Sequence, residues 1–296
     1  MNNIIGHTKE KQKLKMLFDK GSVPHGFVFL GPDGVGKRTV ARWYLKMINC
    51  ESSQEKPCFK CSSCTEIEEG VHCDILEIFP EKKQIEVEQI EVVREKVAYR
   101  GLKANYKGII IDSAHLMNSH SQNALLKTLE EPTKNTVIIL VTESPNALFE
   151  TTLSRTVQIE FNFATKKEMK EAGLEEEIIE LSMNRPGRAL KYLENKDAKK
   201  KAESIFKIAK KIDAEHLVYR FSEVKKLTKE GTEEDVQLFI EYFLQSAREN
   251  LIDKINRKES TAMLAKIIKE MEEVVFLKSK TNASLQLMIE KTLILN

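Results

Sequence analysis

No stretch of this chain is apolar for long. The longest uninterrupted apolar run is Val137 to Val141, far short of the ~20 residues a membrane-spanning helix needs. The opening residues, MNNIIGHTKEK, contain no apolar core of a secretory leader, so the cytoplasm is the expected compartment, with no membrane partner. Neither sign of charge prevails: 47 Lys and Arg stand against 45 Asp and Glu, a net charge of +2. That excludes a wholly basic nucleic-acid coat and an acidic disordered tail, and confines any polyanion contact to a local patch. Cysteine is absent outside residues 50–73, where all five cysteines fall. A disulfide framework would spread them to staple distant segments, so the crowding points to a local metal site. After Gly187 there is one glycine, Gly231, and no proline. A tail without turn-formers or breakers is expected to be helical, and Leu285, Met288, Ile289 and Leu293 repeat at helical spacing.

The first 160 residues read differently. Short apolar runs at Phe27–Leu30, Asp74–Phe79, Gly108–Asp112, Val137–Thr142 and Val157–Phe161 alternate with amphipathic stretches near 8–20, 36–49, 86–99 and 119–130. Buried strands interleaved with helices predict a parallel five-stranded α/β sheet. A short charged helical segment follows, ending in an expected turn at Arg185-Pro186-Gly187. The expected domains are 1–163, an α/β core; 164–198, a small helical domain; and 199–296, an all-α domain. The basic run Lys199–Lys201 reads as a solvated helix face.

After the first strand comes Gly31-Pro32-Asp33-Gly34-Val35-Gly36-Lys37-Arg38. In the phosphate-loop pattern G-x-x-x-x-G-K-S/T, glycines let backbone N–H groups turn inward around phosphates, and the lysine reaches the terminal phosphates. Seven of the eight positions fit, in the required order of strand, loop and helix. The eighth, whose hydroxyl ligates Mg²⁺ in working loops, is Arg38. Thr39 is one residue late, about 100° round the helix. Asp112, ending the third strand, stands where a magnesium-supporting aspartate belongs. The next residue is Ser113, where a hydrolytic site carries a glutamate to activate water, and serine is no comparable base near neutral pH. The two departures leave either a site that still binds ATP or ADP or a fully vestigial one, with Mg²⁺ doubtful and hydrolysis by the chain alone not expected.

Cys50, Cys58, Cys61 and Cys64 place four thiolates in 15 residues, a match to tetrahedral structural zinc. An iron–sulfur cluster is the alternative for the same ligands. Cys73, nine residues on, is expected to be a buried small apolar residue, and His72 a structural hydrogen-bonding histidine.

Further stretches carry a resemblance that spans nearly the whole chain. They are Ile4-Ile5-Gly6, Pro24-His25-Gly26-Phe27, the four-cysteine insertion, Gly70-Val71-His72-Cys73-Asp74, and above all Ser121-Gln122-Asn123-Ala124-Leu125-Leu126-Lys127-Thr128-Leu129-Glu130-Glu131-Pro132. Together they resemble the AAA+ clamp-loader subunits of bacterial DNA polymerase III, and within them the delta-prime branch. The resemblance implies a subunit of a hetero-pentameric ring with gamma/tau and delta, loading a sliding clamp onto primed DNA. It implies that Arg155, in Leu153-Ser154-Arg155-Thr156, is an arginine finger acting in trans; Thr156 departs from the family's usual cysteine. It places Thr142 in the sensor-1 region and Arg188 at the sensor-2 position, where a purely structural role is equally open. A gamma/tau-like active ATPase is the alternative.

Overall fold

The computed structural model describes residues 4–81, 83–211, 217–278 and 289. The chain divides into two compact units, 1–190 and 191–296. The first runs α1 (Thr8–Asp19), β1 (Gly26–Leu30), α2 (Lys37–Asn49), α3 (Ser62–Glu69), β2 (Ile75–Ile78), α4 (Val87–Ala98), β3 (Lys107–Ile111), α5 (Ser119–Glu130), β4 (Thr136–Thr142), α6 (Glu150–Ser154), β5 (Val157–Glu160), α7 (Lys166–Glu171), α8 (Glu176–Leu181) and α9 (Pro186–Glu194), within which the boundary falls.

The five strands form one parallel sheet in the order β2-β3-β4-β1-β5. Their continuous apolar runs follow from burial on both faces. Side chains alternate across a strand, so Phe27 and Phe29 join a core with Tyr44, Leu45 and Ile48 of α2. Val28 and Leu30 point the other way, into a core with Ile90 and Val93 of α4 and Leu125 and Leu129 of α5. The helix starts carry their own caps: Glu86 with Gln89 before α4, Asn118 before α5, and Thr165 with Glu168 before α7.

Two expectations about the first unit need correction. Arg185-Pro186-Gly187 does not close a helical segment; Pro186 opens α9, since a proline in the first turn sacrifices an N–H that has no helical partner. Cys73 is exposed, not buried. The chain bends there so that its neighbours His72 and Asp74 face inward instead, both buried.

Asp74 is the anchor of that bend. Its carboxylate accepts the backbone N–H groups of Leu102, Lys103 and Ala104 at 3.0, 2.6 and 2.8 Å. Burial pushes its pKa up, but these hydrogen bonds outweigh it and hold the carboxyl below its ordinary range. His72 Nδ1 accepts the Asp74 N–H at 3.1 Å, the structural role expected of it.

The second unit is helical where described: α10 (Lys196–Lys211), α11 (Leu217–Glu230), α12 (Glu233–Asn256) and α13 (Ala262–Lys278). Phe206 meets Tyr242 edge-on, with ring centroids 5.0 Å apart. The basic run is more than a solvated face: Lys201 pairs with the buried Asp235 at 2.7 Å. Ile289 is helical and buried; Leu285, Met288 and Leu293 lie outside the described residues.

Candidate functional site

Strands of a parallel sheet present their C-terminal ends along one edge, where α/β proteins place ligands. Here that edge gathers the phosphate loop after β1, Asp112 after β3 and Thr142 at the end of β4. Leu30 and Thr142 are register partners, and Gly31 N–H donates to Thr142 O at 3.2 Å. Gly31 has φ 147°, and a Cβ there would stand 2.2 Å from the Phe161 carbonyl oxygen. Only glycine lets the loop leave the strand this close to β5's end.

Gly36 caps α2, with φ 103°. Lys37 follows, buried, and its ammonium donates to the Gly31 and Pro32 carbonyls at 2.6 Å each. Burial lowers its pKa, partly offset by the charges of Glu143, Asp33 and Asp112. His115 is also held below its ordinary value, by burial first and then by the Lys37 charge. The loop is braced from two further sides. Buried His7 donates from Nε2 to Val35 O at 2.7 Å. Gly187 N–H donates to Gly34 O at 2.7 Å, and the Cβ atoms of Arg185 and Arg188 stand beside Gly34. Arg188 is thus brought to the loop. Thr142 is buried and its hydroxyl engages Ser144, accepting N–H at 3.2 Å and donating to O at 3.1 Å.

Residues 38 and 112 decide what the edge can do. Arg38 Nη1 lies 3.3 Å from Asp112 Oδ2, and its guanidinium stacks over the Phe79 ring, 5.1 Å from the centroid. The other carboxylate oxygen, Oδ1, accepts Ser113 N–H at 3.0 Å. Ser113 itself adopts a left-handed conformation, φ 54°. Thr39 is exposed on another face of α2. These residues do not fit a magnesium ion: the hydroxyl is missing, and a cation already sits on the carboxylate.

Arg155 lies at the opposite edge. It precedes β5, whose Val157 is in register with Phe27 at the start of β1. At about 3.3 Å per residue, roughly 15–20 Å of strand separates it from its own phosphate loop. Its side chain pairs with Glu130 Oε1 at 2.9 Å and donates to Thr151 O at 3.0 Å.

At the far end of α2, the sulfurs of Cys50, Cys58, Cys61 and Cys64 all lie within 4.8 Å of one another. Cys58 N–H points at Cys50 Sγ and Cys61 N–H at Cys58 Sγ, both at 3.3 Å. Hydrogen bonds from the backbone of Lys60 and Cys61 draw the Cys58 thiol down to about 6, while burial pushes Cys64 up. Zn–S bonds of about 2.3 Å set tetrahedral sulfurs about 3.8 Å apart, a spacing inside that limit, so the four thiols can hold zinc.

The sequence model of the family described as DNA polymerase III, delta subunit, matches residues 6–165. The chain belongs to that family. Among relatives of this delta-subunit family member, the gamma subunit of DNA polymerase III from Buchnera aphidicola is 35% identical over 56% of this chain and 46% of its own length. The delta' subunit from Bacillus subtilis is 32% identical over 56% of this chain and 51% of its own. The chain therefore spans about half the length of these two relatives. A gamma subunit-related protein from Thermotoga maritima aligns over 96% of this chain and 97% of its own, at 20% identity and a TM-score of 0.48.

Sequence reasoning missed Phe79, Glu130, His7 and His115 as neighbours of the site residues. His115 had a signal, three residues after Asp112; Phe79 and Glu130 had none, because their partners are distant in sequence.

Proposed function

We propose that this chain is a delta-prime-type subunit of a DNA polymerase III clamp loader, a stator that does not hydrolyse ATP itself. It would act with gamma/tau and delta in a hetero-pentameric ring that places the sliding clamp on primed DNA. The observation that carries the reading is Arg38 seated on Asp112, with serine where the water-activating carboxylate belongs. A site with neither a metal position nor a base lacks both groups that phosphoryl transfer to water requires.

Arg155 supports the complementary half. It sits at the edge of the sheet away from its own loop, so it cannot serve that loop, but a neighbour's site can receive it. A guanidinium delivered in trans stabilises charge on a transferring phosphoryl group. Glu130 and the Thr151 carbonyl orient the side chain before it docks. Zinc, held by Cys50, Cys58, Cys61 and Cys64, supplies a structural cross-link and no chemistry, since four sulfurs leave no open position. Lys37 and the glycines retain the means to hold a nucleotide, with Thr142 and Arg188 beside it.

The test is Arg155→Ala in the reconstituted complex. Assembly should persist, while turnover at the site the finger serves falls by about 10³-fold, the low end for such residues. Unchanged turnover in an intact assembly refutes the finger. The alternative, a gamma/tau-like ATPase, draws on the comparable match to a gamma subunit. Steady-state hydrolysis by the purified chain, abolished by Lys37→Ala, would establish it instead.

A further inference from the structure

The disagreement between this site and a magnesium ion has a positive side. We propose that Arg38 is a built-in substitute for the metal, so that the loop binds a nucleoside di- or triphosphate without any divalent cation and retains it as a structural group. The inference rests on the non-hydrolysing reading above and goes beyond it, because a non-hydrolysing site could equally be empty or magnesium-dependent.

Three observations converge. First, Arg38 occupies the position in the motif from which a hydroxyl would reach the metal, and its guanidinium contacts the aspartate that would support the same metal. Second, the arginine is placed by two elements, not one. Asp112 after β3 binds its edge and Phe79 after β2 lies under its face. The stacking also accounts for an otherwise anomalous phenylalanine, which is 41% exposed. Third, both oxygens of Asp112 are engaged, one by Arg38 and one by the Ser113 N–H. A dication would have to displace a cation to reach the carboxylate, and no hydroxyl on this face of α2 would help hold it.

The arrangement keeps what a polyphosphate needs. A guanidinium has five N–H donors in a fixed fork, so its pairing with Asp112 leaves donors for phosphate oxygens. Arg38 is 44% exposed at the side chain, open to an incoming anion. Lys37 brings a second positive charge from the first turn of the same helix, where the dipole favours anions. Two side-chain cations replace one lysine and one metal ion. The site thus keeps its attraction for phosphates and loses the ion that would polarise the bond to be broken.

The experiment is calorimetric titration of the nucleotide-free chain with ADP, once with Mg²⁺ in excess and once with EDTA. The wild-type affinities in the two buffers should agree within about threefold, and Arg38→Thr should weaken binding in EDTA by about tenfold, the scale of one charge-assisted hydrogen bond, with Mg²⁺ restoring it. Arg38→Gln, which offers neither charge nor hydroxyl, should lose about tenfold in both buffers. Far-UV circular dichroism checks that each variant is folded, as expected for an exposed position. A wild-type affinity that drops about tenfold or more on chelation would overturn the proposal. So would absence of ADP binding in either buffer, which leaves the non-hydrolysing reading standing. Phosphate release from ATP by the wild-type chain, measured in parallel, is the separate result that would overturn that reading.

Discussion

At its N-terminal end α2 receives a phosphate loop in which Arg38 is paired with Asp112. At its C-terminal end, Cys50 joins three cysteines whose sulfurs lie within 4.8 Å of one another. One helix therefore joins a metal position occupied by a guanidinium to a metal position with its ligands in place. The difference follows from what each site supports. The cysteine segment, Glu51 to Lys56 above all, offers almost nothing apolar to bury, so the zinc proposed for its four thiols would be its means of folding. The loop end is held by other things: β1, the buried Lys37, His7 and the start of α9. These contacts brace it from within the protein, and a single side chain can take the ion's place.

The comparison can be broken most sharply at the cysteine end. Cys64→Ser should abolish stoichiometric zinc in metal analysis and cost upwards of about 4 kcal/mol in thermal or chemical unfolding, since losing a structural metal is among the few changes with effects that large. Retained zinc with unchanged stability would show that the two ends do not differ as described. Next in size is Asp74, which starts the bend beyond α3. Asp74→Asn should cost about 2–3 kcal/mol, as the charge-assisted bonds to three N–H groups are weakened. The pH dependence has a definite sign. A carboxyl whose folded pKa lies below its unfolded value of 3.8 stabilises fully above that value and loses its contribution as pH falls through the folded pKa. Urea melts of wild type at pH 7 and near pH 3 should therefore differ more than those of the variant. A constant gap between the two proteins would refute the assignment. The smallest effect belongs to the loop end. Gly187→Ala places a Cβ 2.9 Å from Gly34 O and should cost about 1–2 kcal/mol through the forced shift. A stability equal to wild type in denaturant melts would mean that α9 does not brace the loop.

The sheet was legible because strands buried on both faces must be apolar throughout: Phe27–Leu30 and Val137–Thr142 announce themselves within a residue of β1 and β4. α3 was not. Ser62–Glu69 is polar and short, and its place is fixed by the cysteines that flank and enter it, not by a hydrophobic stripe. At the phosphate loop the motif showed that a hydroxyl was missing but not what fills its place. Arg38 and Asp112 are 74 residues apart in the chain, and only the parallel order of β1, β4 and β3 brings them together. The same holds for Arg155 and Glu130, joined where α5 ends and β5 begins. Cys73 misled because a small apolar residue ahead of a strand usually faces in; here the inward places are taken by His72 and Asp74.

Gly31 and Gly187 bear on how such motifs are read in other chains. A side chain at Gly31 would collide with the Phe161 carbonyl, and one at Gly187 with the carbonyl of Gly34. Neither collision involves a ligand. A chain of this fold could stop using nucleotide altogether and still be unable to exchange these glycines, because its own backbone fills the space. The first glycine of the fingerprint can thus persist whether or not a nucleotide is used. A search tuned to glycines will find retired sites as readily as working ones, and the informative letter is the one after the lysine.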